Sequence, residues 1–525
     1  MAYRHGVYTS EIETSVQVAQ PVDSALPFVV GTAPRNVGPV LVTSWSRFCE
    51  LFGVDRAVDI GGPAYQAGGT LANFAYYWFL LAGRGECFMQ SLPGITYSSD
   101  PVSVKVGTET KQARFDIQLG LVAASNRDGW RDSIMNETLT ISWNSGESEY
   151  EAAFGDFGSV SITDPTYISP VSVQESAGNV LTITLVDLVT GSSIANAVLA
   201  DNSVSPLSVR FHAYGDVVEN SAQTIAAIQS IHTIYERFGR VASILEVAGY
   251  NLAVGQPTVE AAMVAAVQNI GGRFKGVALL DCNSGSVSAQ TPGYSYAQAG
   301  ENKPSTSPFA YCIWPYVGVG SLRFPGSVAV CASINAVDGQ YGGLPYVAQS
   351  NKALPITGEY WAYEDDDGVM HEEPVWLTRD EVNTSLGAYG IASFRHTAQG
   401  WVSWGVNTAA FPGSTDVKDY LFPIRRMFNH VSNQFQIFAD GRVDMPLNRR
   451  QLEGVIKSFN QILSGWVGFG ALNAASIALD DERNTEASLL SGVVYFRIRI
   501  APPPPMVVIE GVLEYDVAGF TASLA

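Results

Sequence analysis

Between Leu421 and Phe438 the apolar residues Leu421, Ile424, Phe428, Val431, Phe435 and Phe438 recur at alternating steps of three and four. That spacing places them on one face of an α-helix and predicts that the face is buried. Pro423 falls in the first turn, where a missing N–H costs little, and Asp416 or Asp419 is placed to cap it. Arg425 and Arg426 sit just off the stripe. A second stripe, Leu452, Val455, Ile456, Phe459, Ile462 and Leu463, follows Asn448 with Gln451 three residues on, a capping-box pattern that predicts a helix ending near Gly465. The two helices should form a layer. After them Val494, Phe496, Ile498 and Ile500 alternate with Tyr495, Arg497 and Arg499, the period of a half-buried strand. A further strand is expected from Val507 to Tyr515, with Val507, Ile509, Leu513 and Tyr515 on one face and Glu510 and Glu514 on the other. The prolines Pro502 to Pro505 between them cannot make a two-residue hairpin turn; they favour an extended spacer of about 12 Å, which frees the last strand to leave its own subunit.

Earlier in the chain, Val7 to Glu11 alternates weakly ahead of a polar stretch, as an edge strand on a tether would. From Leu26 the pattern is strand (28–31), helix (45–52), glycine-rich turn, helix (71–82) and strand (86–92), an α/β order. The helix from Leu71 is apolar nearly all round and belongs inside. From Val102 to Val209 short alternating runs such as 102–106, 139–143 and 180–185 are separated by turn residues, which predicts a β domain. Helical spacing returns over 224–238, and strands at 241–247 and 276–280 flank a helix at 258–270. The simplest organisation is an α/β domain with a β domain inserted between its halves.

A formal charge of −20 argues against general nucleic-acid binding, which needs clustered Lys and Arg. The charge is uneven. Residues 132–209 hold ten acidic side chains and no Lys or Arg, whereas 417–460 hold seven basic against four acidic, a local +3 that favours a docking face. Five cysteines without CxxC spacing read as reduced core residues. The first fifteen residues lack a signal peptide's apolar core, and the most apolar run, 72–82, is too short to cross a bilayer, so a soluble cytoplasmic product without membrane insertion is expected. P-loop, GxSxG and HExxH signatures are absent, and no cofactor is expected. The run Glu364 to Asp367 with His371 to Glu373 reads as a solvated loop, with a hard cation as the alternative; His212, His232, His396 and His430 read as isolated structural residues.

Three segments carry a resemblance: Gly400-Trp401-Val402-Ser403-Trp404-Gly405-Val406-Asn407-Thr408-Ala409-Ala410-Phe411-Pro412, then Ile424 to Asn433, then Pro446-Leu447-Asn448-Arg449-Arg450. Together with Gly6-Val7-Tyr8 leading into Pro27 to Gly31, they make the chain resemble contractile phage tail sheath proteins, closely over the last 130 residues or so. Where the family often has Trp-Gly-Asn-Arg-Thr, this chain has Trp404-Gly405-Val406-Asn407-Thr408. The resemblance implies an α+β multidomain subunit: an arm at 1–20, an α/β core domain split over 21–92 and 211–375 around an all-β insert at 93–210, a C-terminal α/β polymerisation lobe at 376–500, and a Pro-rich linker and arm at 501–525. It further implies that the sheet of this lobe is completed by arms of neighbouring subunits, through Gly6, Val7, Tyr8 and Thr9 and through Val507, Ile509, Leu513 and Tyr515. Partners would be other copies in a helical polymer, a tail tube, a baseplate and a tail terminator, in a virion tail assembled in a bacterial host. Lys418, Arg425, Arg426, Arg449, Arg450 and Lys457 are the expected tube-facing residues. The competing readings are an α/β enzyme with an inserted β domain and a secreted adhesin.

Overall fold

The computed structural model describes residues 22–517 apart from 34–36, 55–68, 93–94, 99–104, 107–111, 119–138, 145–148, 155–167, 177–179, 188–209, 214–220, 250–256, 283–302 and 365–369. The chain begins with β1 (Pro27–Gly31), β2 (Val40–Val42), α1 (Trp45–Phe52), α2 (Gly69–Tyr76) and β3 (Cys87–Ser91). Both ends of α1 follow from local chemistry: the Ser44 hydroxyl accepts from the Arg47 N–H, and Gly53 closes the helix at φ 78°, a region that favours glycine. A π-helical turn, Tyr77–Leu81, continues α2, and Tyr77 and Trp78 are fully buried, as an apolar helix in the interior should be.

The chain then leaves through β4 (Ile95–Ser98) and passes along β5 (Lys105–Val106), β6 (Gln112–Gln118), β7 (Leu139–Asn144), β8 (Glu149–Phe154), β9 (Ile168–Ser176) and β10 (Val180–Asp187) before returning through β11 (Arg210–Ala213). β4 and β11 pair antiparallel with Phe211 opposite Tyr97, so the outgoing and returning chains run side by side. The strands between them form one six-stranded antiparallel sheet in the order β5-β6-β10-β9-β7-β8.

Helices α3 (Ser221–Gln229) and α4 (His232–Phe238) occupy the stretch expected to be one helix. The Ser230 hydroxyl donates to the Ala227 carbonyl at 2.7 Å at the break, a local bond that competes with helix continuation. Next come β12 (Ile244–Val247), α5 (Pro257–Gln268), β13 (Val277–Asp281), β14 (Ala310–Ile313), β15 (Tyr316–Val319), β16 (Leu322–Phe324) and α6 (Gly326–Gln340). β17 (Gly358–Glu364) and β18 (Met370–Val375) join the small sheet β16-β15-β17-β18, and β19 (Ile391–Thr397) and β20 (Gly400–Trp404) follow.

The central sheet has eight strands in the order β2-β3-β1-β12-β13-β14-β19-β20, parallel from β3 to β19 with an antiparallel strand at each edge. One apolar cluster covers each face, and β1, β12 and β13 are buried along their whole length, as central parallel strands are. β19 and β20 were expected in a lobe beginning at residue 376; instead β14 pairs with β19, so the sheet crosses that boundary. All five cysteines are buried thiols, as expected. Among the described residues no helix is long and apolar enough to cross a membrane.

The last part of the chain is α7 (Phe422–Asp440), α8 (Arg449–Phe469), β21 (Ala474–Leu479) and β22 (Phe496–Ala501). Asp416 caps the separate turn Val417–Tyr420 and not α7, whose N-cap is Leu421 with no side-chain bond. Asn448 caps α8 as expected, its side chain accepting from the Gln451 N–H. The helix passes Gly465 and stops at Gly470, φ 86°, because that glycine supplies the left-handed C-cap while Trp466 and Val467 still pack on the lobe core. α7 is buried on two sides: Met427, Val431 and Phe438 face the lobe core, while Asn429 and Asn433 dock on the central domain, bonding Gly276 and Lys275 backbone at 2.7 to 2.9 Å.

Candidate polymerisation site

Beyond β22 and the prolines, Met506, Val507, Val508, Ile509, Val512, Leu513 and Tyr515 are exposed, most of them above 70%. No strand forms from Val507 to Tyr515 within this chain. An apolar segment of this length stays in water only until something covers it. The residues Gly6, Val7, Tyr8 and Thr9 lie outside the described part of the chain.

β21 and β22 make a sheet of only two strands, Ile477 opposite Ile498, backed by α8. β21 has no counterpart among the strands expected from the sequence, because Ala474 to Leu479 is short and its alternation weak. The two edges of this sheet differ. The Asn460 side chain bonds both the N–H and the C=O of Ile477, so these point away from β22 and the outer edge of β21 is capped at its centre. In an antiparallel ladder opposite residues share their hydrogen-bonding direction. Ile498, and with it Phe496 and Ile500, therefore turns its backbone groups to the outer edge of β22. No bond reaches them there among the described residues. Their side chains pack on the lobe core, while Arg497 bonds Asp480 and Glu482 and Arg499 stays exposed. The site is thus a strand, β22, with an open outer edge, an arginine on its outer face and an apolar floor.

The expected tube-facing cations separate into two groups. Arg425 and Arg426, expected at the tube-facing surface, are instead buried, 7% and 4% exposed, and serve the interior. Arg426 forms a two-pronged pair with Asp338 at the end of α6 and donates to the Ser24 carbonyl at 3.0 Å. Arg425 pairs with Asp419 at 3.3 Å and lies over the Phe309 ring. Their spacing off the apolar stripe looked like a surface position, but α7 has a second buried face. Lys418 is half-exposed beside Asp416, Arg449 is exposed and paired with Glu453, and Arg450 and Lys457 are exposed on α8 without an ion pair among the described residues.

At the carboxyl ends of the parallel strands, where an open α/β sheet usually binds ligands, buried polar groups bond one another. The Ser327 hydroxyl lies 3.0 Å from Glu246 and 2.5 Å from Asp281, whose other oxygen accepts from the Ser327 N–H. One hydroxyl proton cannot serve two carboxylates, so Glu246 carries a proton of its own; burial and the charge of Asp281 push its pKa well up.

The fold is that of the sheath subunits of contractile injection machines. It superposes on the sheath complex of an extracellular contractile injection system, PVC, in the contracted state with a TM-score of 0.54 and 14% identity, over 99% of each chain. The anti-feeding prophage helical sheath, also contracted, matches with a TM-score of 0.51 and 14% identity over 98% of this chain and all of that one. By sequence the chain is similar to the tail sheath protein of Burkholderia phage BcepMu, 23% identical over 516 residues, covering 96% of this chain and 95% of that protein. No family model matches.

Proposed function

We propose that this chain is the structural subunit of a contractile tail sheath, which polymerises helically around a tail tube in a metastable extended state and contracts to drive the tube through a bacterial envelope. The observation that carries this reading is the pairing of an exposed apolar arm with a two-stranded sheet that has one open edge. The arm Val507 to Tyr515 of one copy adds to β22 of another, and Gly6 to Glu11 contributes the second exchanged strand. About five buried apolar side chains at roughly 1.5 to 3 kcal/mol each outweigh four or five backbone bonds at about 1 kcal/mol net, so burial supplies most of the hold. Glu510 and Glu514 would meet Arg499, which sets register more than affinity.

Head-to-tail contacts between identical chains make an open helical polymer, and such a polymer can have two packings related by rotation of whole subunits. The work of contraction is then stored at assembly, without a nucleotide, in an extended lattice trapped above a compact one. Arg449, Arg450, Lys457 and Lys418 are the cations left to face an acidic tube; baseplate and terminator proteins would cap the polymer, with no direct contact to nucleic acid or membrane. Electron microscopy of the purified protein tests the reading. Long hollow helical tubes are expected, and discrete particles at every concentration and ionic strength tried would overturn it.

A further inference from the structure

Three residues that each carry a buried, unbonded polar atom line one small cavity beneath the point where the described chain begins. Ser243 precedes β12, and Asn429 and His430 are neighbours on α7; all three are more than nine-tenths buried. Ser243 Oγ, Asn429 Oδ1 and His430 Nδ1 have no hydrogen-bond partner among the described residues. The three residues line the same cavity of about 10 Å³, shared with Val22, Ser24, Lys275 and Arg426. That is close to the space needed for one water molecule.

We propose that this cavity is a binding site for a single structural water that joins α7 to the sheet beneath the foot of the N-terminal segment. The direct bonds at the cavity fix what its occupant must do. The Asn429 amide nitrogen donates to the Gly276 carbonyl at 2.9 Å, which fixes the amide and leaves Oδ1 as an unbonded acceptor. His430 is held neutral by burial and by the neighbouring Arg426 charge, and in the tautomer with its proton on Nε2 the Nδ1 atom is a second acceptor. Ser243 can donate its hydroxyl. A water donating to Asn429 and His430 and accepting from Ser243 makes three bonds, the usual number for a buried water. A cation is opposed by Lys275 in the same wall, while the carboxylate there, Asp23, is already paired with Arg240. An anion is opposed by the lone pairs of Asn429 and His430, and the Arg426 charge is already taken by Asp338.

The water's neighbours explain why the site lies there. Val22 N–H donates to Gln434 on α7, Ser24 C=O accepts from Arg426, and Leu26 C=O accepts from the Ser243 N–H. These bonds anchor residues 22–26 to two elements, and the water closes the gap between the two. The site belongs to the folded subunit and stands whether or not the chain polymerises.

A crystal structure of the full chain at a resolution that orders solvent is the direct test. A density peak within hydrogen-bond distance of Ser243 Oγ, Asn429 Oδ1 and His430 Nδ1 is expected, with no anomalous signal there in crystals soaked in bromide or in rubidium. Side chains rotated to bond each other, or an anomalous peak, would overturn the proposal. In solution, Ser243→Ala and His430→Leu, singly and together, should lower the urea midpoint by less in combination than the sum of the two, because both lose the same water. Strictly additive losses would count against it, and if His430→Leu does not fold, the density of the unaltered chain decides alone.

Discussion

The side-chain amide of Asn460 takes the place of a neighbouring strand for Ile477, accepting from its N–H at 3.0 Å and donating to its C=O at 3.2 Å. A helix side chain thereby blocks the centre of one edge of a sheet whose other edge is, on the proposed reading, the one used in assembly. Asn460→Ala removes two bonds at about 1 kcal/mol each and opens β21. The expected result is a lower urea midpoint together with irregular aggregates in place of ordered polymer; regular polymer at unchanged stability would show that the cap is idle.

The open edge can be tested without disturbing the hairpin. The N–H of Ile498 faces outward, so Ile498→Pro deletes an outer-edge donor and spares the bonds to β21, whereas Arg497→Pro breaks the hairpin itself. The Ile498 variant should give a folded monomer that forms no tubes in micrographs, the same outcome as deleting residues 506–525. Normal tubes from either would place the contact elsewhere.

Arg426 and Asp338 form a buried pair, 4% and 2% exposed at their side chains. Removing one partner strands the other charge, so Arg426→Ala should cost about 3 to 5 kcal/mol in urea unfolding, while joint replacement by Arg426→Met and Asp338→Leu should recover much of the loss. A mild effect of the single change would mean that the pair is open to solvent.

His430 is lowered to about 4 by burial and by Arg426. Because the unfolded imidazole binds its proton near pH 6.5, stability is complete above that value and falls as the pH drops from 6.5 to 4, by about 3 kcal/mol at most. Thermal unfolding across this range should show the fall in the native chain and a flatter profile in His430→Asn.

Glu246 has the opposite sign. Its carboxyl is held protonated in the folded chain, so the unfolded state releases its proton first, and stability declines as pH rises above the ordinary carboxylate range until the raised value is passed. Glu246→Gln, which can still donate to Ser327, should remove this part of the pH dependence and stabilise the chain on the alkaline side. Superimposable profiles for the two proteins would contradict a protonated Glu246.

What the sequence by itself determined is what local chemistry settles. Asn448 starts α8, and the alternation around Phe496 to Ile500 marks a strand, because caps and side-chain periods depend on residues a few positions apart. The exposure of Val507 to Tyr515 was legible in the same way, from four prolines that no hairpin turn accommodates. The tertiary structure alone decided the fate of Arg426, whose partner Asp338 lies 88 residues upstream, and the membership of β19 in the central sheet. It also decided which edge of the β21–β22 pair stays open, through a contact between Asn460 and Ile477 that crosses from helix to strand. Burial, ion pairing and sheet order depend on which distant segments meet in space, and no periodicity within one segment carries that information.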